Sequence, residues 1–460
     1  MPAHLRPVDL DEPAASGYPH YRELLGTDRL SPLRLPTEAE LAAAARRSPW
    51  LSATRSLALW VGDGRVVDDA TGGLARRDAA LAVKELSASR TVPGGLAPTP
   101  VEIAQWWELA DDLGFLDCAG HTATVASGVD SWPDGDDATV LGLWKQAFAS
   151  LCAWSLSLDT ELAGEPRLRL HGAGATVLPL FAARESGLGL AELSAMVREV
   201  AMLDADGEWS AAVWDRWVAE RGDPAEVLYR RLVQLGAVEI HAGTVRLTAL
   251  GLFALWSEIK AEVDIPLLPA VEHMSAADMV SVALLGTAEQ VDTEWRAWSA
   301  TRTAAEAASE LAAVAVAGGA SERAAATALL RKLGPEAHEV WHDLLEVPAL
   351  RPYAKRALGE GESAGMSLTD HDVAWLTADM FCDVDVEHPP DRIGELLAAT
   401  VAAGEEGVFD VLRRLDHPGA AAALRVFGQY HPDGKVAKAA RRAAFTARAS
   451  ATPDRPSGPG

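Results

Sequence analysis

Residues 223–256, DPAEVLYRRLVQLGAVEIHAGTVRLTALGLFALW, carry a helix, two short β-prone runs about a tight turn and a second helix. Asp223 is placed to cap the first helix, Pro224 fits its first turn and Glu226 stands at its third position, so the start has a local cause. Gly236 after Leu235 stops it. Ala237–Ile240 and Thr244–Thr248 then read as strands around Ala242-Gly243, where glycine supplies the backbone freedom of a hairpin. This is the element order of a winged helix.

Working back along the chain, Thr99–Ser127, TPVEIAQWWELADDLGFLDCAGHTATVAS, repeats the same grammar. Thr99, Pro100 and Glu102 take the roles of Asp223, Pro224 and Glu226, and Leu113-Gly114 matches Leu235-Gly236. Phe115–Cys118 and Thr122–Ala126 form a second strand pair around Ala119-Gly120. The repeat predicts two winged-helix-like modules in tandem, over residues 36–165 and 166–265. Ahead of them, Glu38–Arg47, Leu51–Val61 and Leu74–Leu86 have helical apolar spacing, Gly62–Asp68 reads as a turn and short strand, and Ser87–Pro98 reads as a loop. Residues 1–35, rich in Pro, Asp and Leu without a sustained period, are expected to be an extended or loosely packed arm.

After residue 266 the character changes to alanine-rich segments with short Gly and Pro breaks. Helices are predicted over Thr303–Ala317, Ser321–Leu333, Pro335–Val347, Leu350–Leu358, Thr369–Phe381, Asp391–Ala403, Glu405–Leu415, Gly419–Tyr430 and Lys435–Arg448. Leu329, Leu330 and Leu333, then Ala337, Val340, Trp341, Leu344 and Leu345, recur at helical spacing. Antiparallel pairs with short links predict a HEAT-like α-helical repeat region over 266–449, with an ordinary helical bundle as the alternative because the repeat spacing is irregular, and 450–460 as a disordered tail. The fold class expected is therefore mainly α.

Composition narrows the function classes. The 460 residues are 49% hydrophobic, enough for several domains with real cores. The opening residues, MPAHLRPVDLDEP, carry no leader pattern and no apolar run spans a bilayer, so a cytoplasmic protein without a membrane partner is expected. Cys118, Cys152 and Cys382 are odd in number and lack metal-type spacing, as expected of reduced thiols. With 41 basic and 66 acidic residues the net charge is −25, which repels nucleic acid and anionic lipid at long range. The end of the chain runs against this trend. From His431 to Gly460, Lys435, Lys438, Arg441, Arg442, Arg448 and Arg455 face only Asp433 and Asp454. A basic last helix on an acidic body can dock on the chain itself, on another subunit or on an acidic partner, which makes Lys435, Lys438, Arg441 and Arg442 the expected partner contacts; the alternative is the solvated face of a terminal capping helix.

Four stretches together, ALWVGDGR (58–65), LGAVEIHAGTVRLTALG (235–251), LGPEAHEVW with LRPYAKRAL (333–358) and HPDGKVAKAARRAAFTAR (431–448), resemble regions of uncharacterised actinobacterial proteins in which such regions often accompany a plasmid open-reading-frame type β domain. The resemblance extends over the chain beyond the first 35 residues. No stretch here reads as that β domain. Because that family has no established activity, the resemblance implies architecture and no catalytic residues.

Chemistry-bearing motifs are few. Gly361–Gly365 matches G-x-S-x-G, yet the strand and parallel sheet that a nucleophile elbow requires are not predicted around it. His171–Gly174 lacks the Lys-Ser/Thr ending of a phosphate loop. His371–His388 gathers Asp372, Asp379, Cys382, Asp383, Asp385 and Glu387, but without a strong metal spacing, and His338 with His342 shares one helical face. No catalytic residue, metal or cofactor is assigned. Fifteen tryptophans, among them Trp106-Trp107, Trp209, Trp214, Trp217, Trp295 and Trp298, read mainly as core, with one of the adjacent Trp106 and Trp107 expected at a module boundary. A DNA-reading helix needs basic side chains toward the groove, and only Arg230, Arg231 and Arg246 offer them. The counterpart helix carries Glu102, Glu108, Asp111 and Asp112 and no basic residue. Binding to a protein partner is the function expected, with a DNA-binding regulator as the alternative and an enzyme whose site the sequence does not display as the second.

Overall fold

The computed structural model describes residues 21–68, 72–88, 98–152, 176–203, 211–359, 367–387, 389–390 and 392–451. The G-x-S-x-G match, the His171–Gly174 stretch, Trp209, most of the Ser87–Pro98 loop and residues 452–460 lie outside them. The chain divides into two compact units, the first holding Met1–Leu30 and Leu35–Ile265, the second Ser31–Arg34 and Pro266–Gly460. Both are mainly helical.

The first unit runs α1 (Tyr21–Leu25), α2 (Glu38–Ala45), α3 (Pro49–Val61), β1 (Arg65–Val66), α4 (Arg76–Ala88), α5 (Pro100–Asp112), β2 (Leu116–Ala119), β3 (Thr122–Val125) and α6 (Asp137–Cys152). It continues through α7 (Val177–Ala182), β4 (Leu188–Gly189), α8 (Leu190–Leu203), α9 (Ala211–Arg221), α10 (Pro224–Leu235), β5 (Val238–His241), β6 (Thr244–Leu247) and α11 (Ala249–Ile259). The caps are the ones expected. Thr99 and Glu102 close a capping box on α5, Asp223 accepts from Ala225 N on α10, and Gly236 ends α10 at φ +88°. Each satisfies backbone groups that a helix end leaves without partners.

The two hairpins repeat each other in register. Leu116 stands opposite Val125 in one and Val238 opposite Leu247 in the other, and each gains a two-residue third strand at its β3 or β6 edge, giving the orders β1-β3-β2 and β4-β6-β5. Matching backbone bonds close both loops: Phe115 N to Ala110 O and Ala126 N to Phe115 O, then Ala237 N to Leu232 O and Thr248 N to Ala237 O. The turns differ. Ala242 and Gly243 are both at positive φ, the pattern of a I′ hairpin, whereas the first turn is Gly120-His121, with only Gly120 positive. The β4 partner strand and helices α6 to α8 carry no signal in the expectations above.

The core joins both hairpin regions. Leu228, Tyr229, Leu232 and Leu235 bury one face of α10, which packs on α3, α6 and α8. Trp144 Nε1 donates to Leu235 O at 2.9 Å, and the Tyr229 hydroxyl lies 2.9 Å from Thr176 Oγ1. Trp106 and Trp107 are both buried. The reason is that α5 is covered by α3, α4 and α6, so Trp106 meets Trp50 edge to face and Trp107 donates to Gly72 O.

In the second unit the helices are α12 (Ala276–Leu285), α13 (Ala288–Ala300), α14 (Ala304–Ala317), α15 (Ala320–Lys332), α16 (His338–Leu344), α17 (Arg351–Gly359), α18 (Asp370–Phe381), α19 (Ile393–Thr400), α20 (Val408–Leu412), α21 (Ala420–Tyr430) and α22 (Gly434–Ala451). The stretch expected as a single Pro335–Val347 helix divides into a 3-10 turn at Gly334–Ala337 and α16. The helix expected over Glu405–Leu415 shortens to α20, with Gly407 as its N-cap and Arg413 as its C-cap. Two apolar clusters form. One is built around Trp298, Leu311, Leu330, Trp341 and Leu350, the other around Phe381, Phe409, Leu424 and Phe427. The expected loose arm is in part ordered here: Leu33 is buried, accepting from Leu268 N and donating to Pro266 O.

Candidate functional site

The C-terminal helical pair offers the clearest open surface. In α22, apolar Val436, Ala440 and Ala443 turn inward against α21, as the spacing of a one-sided helix requires. The opposite faces carry Lys435, Lys438, Arg441 and Arg442, all exposed, and Phe445, which is 77% exposed. Arg441 reaches over α21 to donate to Gly428 O, which places its guanidinium beside the helix pair. There a shallow cleft of about 780 Å³ opens, with Val386, Leu424 and Ala444 as its apolar part, Phe445 at its edge, and Arg425 and Arg441 as cations. Glu387 is the one acid lining it among the described residues. Arg442 lies on the side toward α20, near enough to Asp410 to help hold that carboxyl below its usual range, after Arg413, which bonds it directly. Phe445 and Arg425 were not among the expected contacts; the Arg441-to-Phe445 spacing of one helical turn is the signal that could have found them.

The expected DNA-contact residues do not form a cluster. Arg230 is exposed and only loosely paired with Glu226 of its own helix, 4.0 Å away. Arg231 is buried, its guanidinium 6.0 Å from the centre of the Trp50 ring. Neighbours in a helix point about 100° apart, so the two cannot share a face. Arg246 is exposed on β6 but stands directly across the ladder from Glu239. Reaching a phosphate with Arg231 would require unpacking the core of the first unit.

A buried polar network is centred on Asp379 of the His371–His388 stretch. Asp379 in α18 receives Arg323 Nε at 2.9 Å and Nη2 at 2.7 Å, the Tyr353 hydroxyl at 3.0 Å and His417 Nε2 at 2.7 Å. Its side chain is fully shielded from solvent. Burial on its own would raise the Asp379 carboxyl; hydrogen bonds from His417 and Arg323 outweigh it and hold the pKa below the ordinary value. Burial and the neighbouring Asp379 charge push the Tyr353 hydroxyl upward. Asp372 is similarly taken by Lys355 Nζ at 2.7 Å and by its Thr369 capping box. Burial and Asp383 push the Cys382 thiol up to about 12. Among the described residues no three His, Cys, Asp or Glu side chains gather as a metal cluster. A carboxylate, an imidazole and a phenol thus converge, but with no opening for a substrate at the fully shielded Asp379.

No protein-family model, curated protein or solved structure matches this chain. The candidate site therefore rests on its own geometry. Among the described residues no helix is long and apolar enough to cross a membrane.

Proposed function

We propose that this chain is a non-catalytic binding protein in which two winged-helix-like modules and a HEAT-like helical region support a docking surface for a protein partner, and that the α21–α22 cleft takes an acidic amphipathic helix of that partner. The observation that carries the reading is Phe445, a large aromatic 77% exposed at the edge of an apolar cleft that also holds Arg425 and Arg441. A helix laid into such a groove covers the ring with its apolar face, and its carboxylates meet the two guanidiniums. Lys435, Lys438 and Arg442 extend the positive field along the same helix, in a chain whose net charge of −25 is otherwise repulsive toward acidic ligands. The three cysteines are free, which accords with a reducing, cytoplasmic setting. With Arg231 buried, the DNA-binding alternative keeps Arg230 and Arg246 as its exposed basic contacts.

The test uses a fluorescent acidic amphipathic helical peptide of about 15 residues, followed by anisotropy against the full chain. Phe445→Ala and Arg441→Glu are each expected to weaken binding about tenfold or more, with the circular dichroism spectrum unchanged. Equal binding by wild type and both variants overturns the site. Displacement of the peptide by duplex DNA at physiological salt overturns the choice of a protein partner.

A further inference from the structure

α16 spans His338–Leu344 and buries Trp341 and Leu344 against the first apolar cluster of its unit. His338 and His342, four residues apart, lie one above the other on the exposed side. Their rings meet edge to face with centroids 4.9 Å apart, and the two Nε2 atoms are 3.3 Å apart. As neutral imidazoles they can share one hydrogen bond at that distance. The same distance has a second meaning. Two imidazole nitrogens bound to one tetrahedral zinc ion, each at about 2.0–2.1 Å, stand roughly 3.3 Å from one another. The pair is already spaced as a chelate, and the fixed α16 backbone holds it so.

We propose that His338 and His342 form a surface bidentate site for a borderline divalent transition metal of the zinc class. Imidazole donors select such ions over magnesium and calcium, which demand oxygen ligands. No third His, Cys, Asp or Glu joins them among the described residues, so water completes the coordination and the site stays open on its solvent side. Glu339 and Asp343 follow each histidine in sequence, and the net charge of −25 draws cations toward the chain. An ion held by both imidazoles bridges one turn of a seven-residue helix, from its first residue to its fifth, so binding stabilises the folded form by mass action.

The experiment is calorimetric titration of the full chain with zinc chloride in a non-chelating buffer, for wild type, His338→Ala, His342→Ala and the double His338→Gln/His342→Gln variant. Because both side chains are exposed, the variants are expected to match the wild-type thermal midpoint without metal. Each single substitution is expected to weaken one zinc equivalent at least about tenfold, and the double variant to lose it. Zinc is expected to raise the wild-type midpoint more than that of the double variant. Retention of the equivalent by the double variant, no change in either single variant, or equal competition by magnesium overturns the proposal.

Discussion

Asp379 ties three elements together, because one shielded carboxylate serves Arg323, Tyr353 and His417 at once. Removing it leaves a guanidinium, a hydroxyl and an imidazole with their partner gone in a low-dielectric setting. Asp379→Ala is accordingly expected to cost on the order of 3 to 5 kcal/mol in guanidinium unfolding at neutral pH. The pH dependence follows from the lowered carboxyl. Its stabilisation is complete above the ordinary Asp value and lost as the pH falls through the lower folded value. The difference between wild type and Asp379→Asn should therefore shrink on acidification below about pH 4, measured by unfolding at a series of pH values. A constant difference down to pH 2 would remove the carboxylate from this role. In sequence Asp379 is one acid among several in His371–His388; nothing local distinguishes it from Asp383 or Asp385.

The hairpin regions are where local signals and structure agree best, since capping boxes, Leu-Gly stops and turn glycines act within a few residues of themselves. What local reading leaves out is how each hairpin is seated. A Cβ on Gly251, in α11, would stand 2.1 Å from Ala237 O, and one on Gly128 would stand 2.2 Å from Gly114 O. Both glycines let the segment after the hairpin press on the backbone just beyond the preceding helix. Gly251→Ala and Gly128→Ala are each expected to destabilise the first unit by about 1–3 kcal/mol through overpacking, read as a lowered thermal midpoint. Gly142→Ala, with nothing within 4 Å of its added Cβ, is the control expected to leave the midpoint unchanged or raised. Equal midpoints for all three would show that the backbone yields at these contacts.

On the scale of the whole molecule, Ser31–Arg34 belongs to the second unit although the following stretch, Leu35–Ile265, is in the first. Leu33 exchanges backbone bonds with Pro266 and Leu268, Arg34 pairs with Glu294 at 2.6 Å, and Gln290 donates to Pro32 O. A fragment beginning at Pro266 would lack all of these. Arg34→Ala is expected to lower the unfolding midpoint of the second unit by the equivalent of about 1–3 kcal/mol, the cost of stranding a half-buried partner charge. Hydrogen exchange at α13 is expected to quicken with it. No change there would mean that Pro266–Gly460 is self-sufficient.

The amino-acid sequence by itself determined the duplicated hairpins with their caps, most of the helices after Thr303 and the acidic body with a basic last helix, because each depends on residues a few positions apart. It placed side chains on helical faces by period alone. Only the tertiary structure decided what covers each face: that Arg231 is packed over Trp50 while Arg230 meets water, that both Trp106 and Trp107 are enclosed, and that Phe445 is left open beside Arg425. The same holds for Asp379, whose partners come from α15, α17 and the turn before α21. Periodicity states which way a side chain points along its own element; burial and convergence depend on the other elements that pack there, and those lie tens to hundreds of residues away.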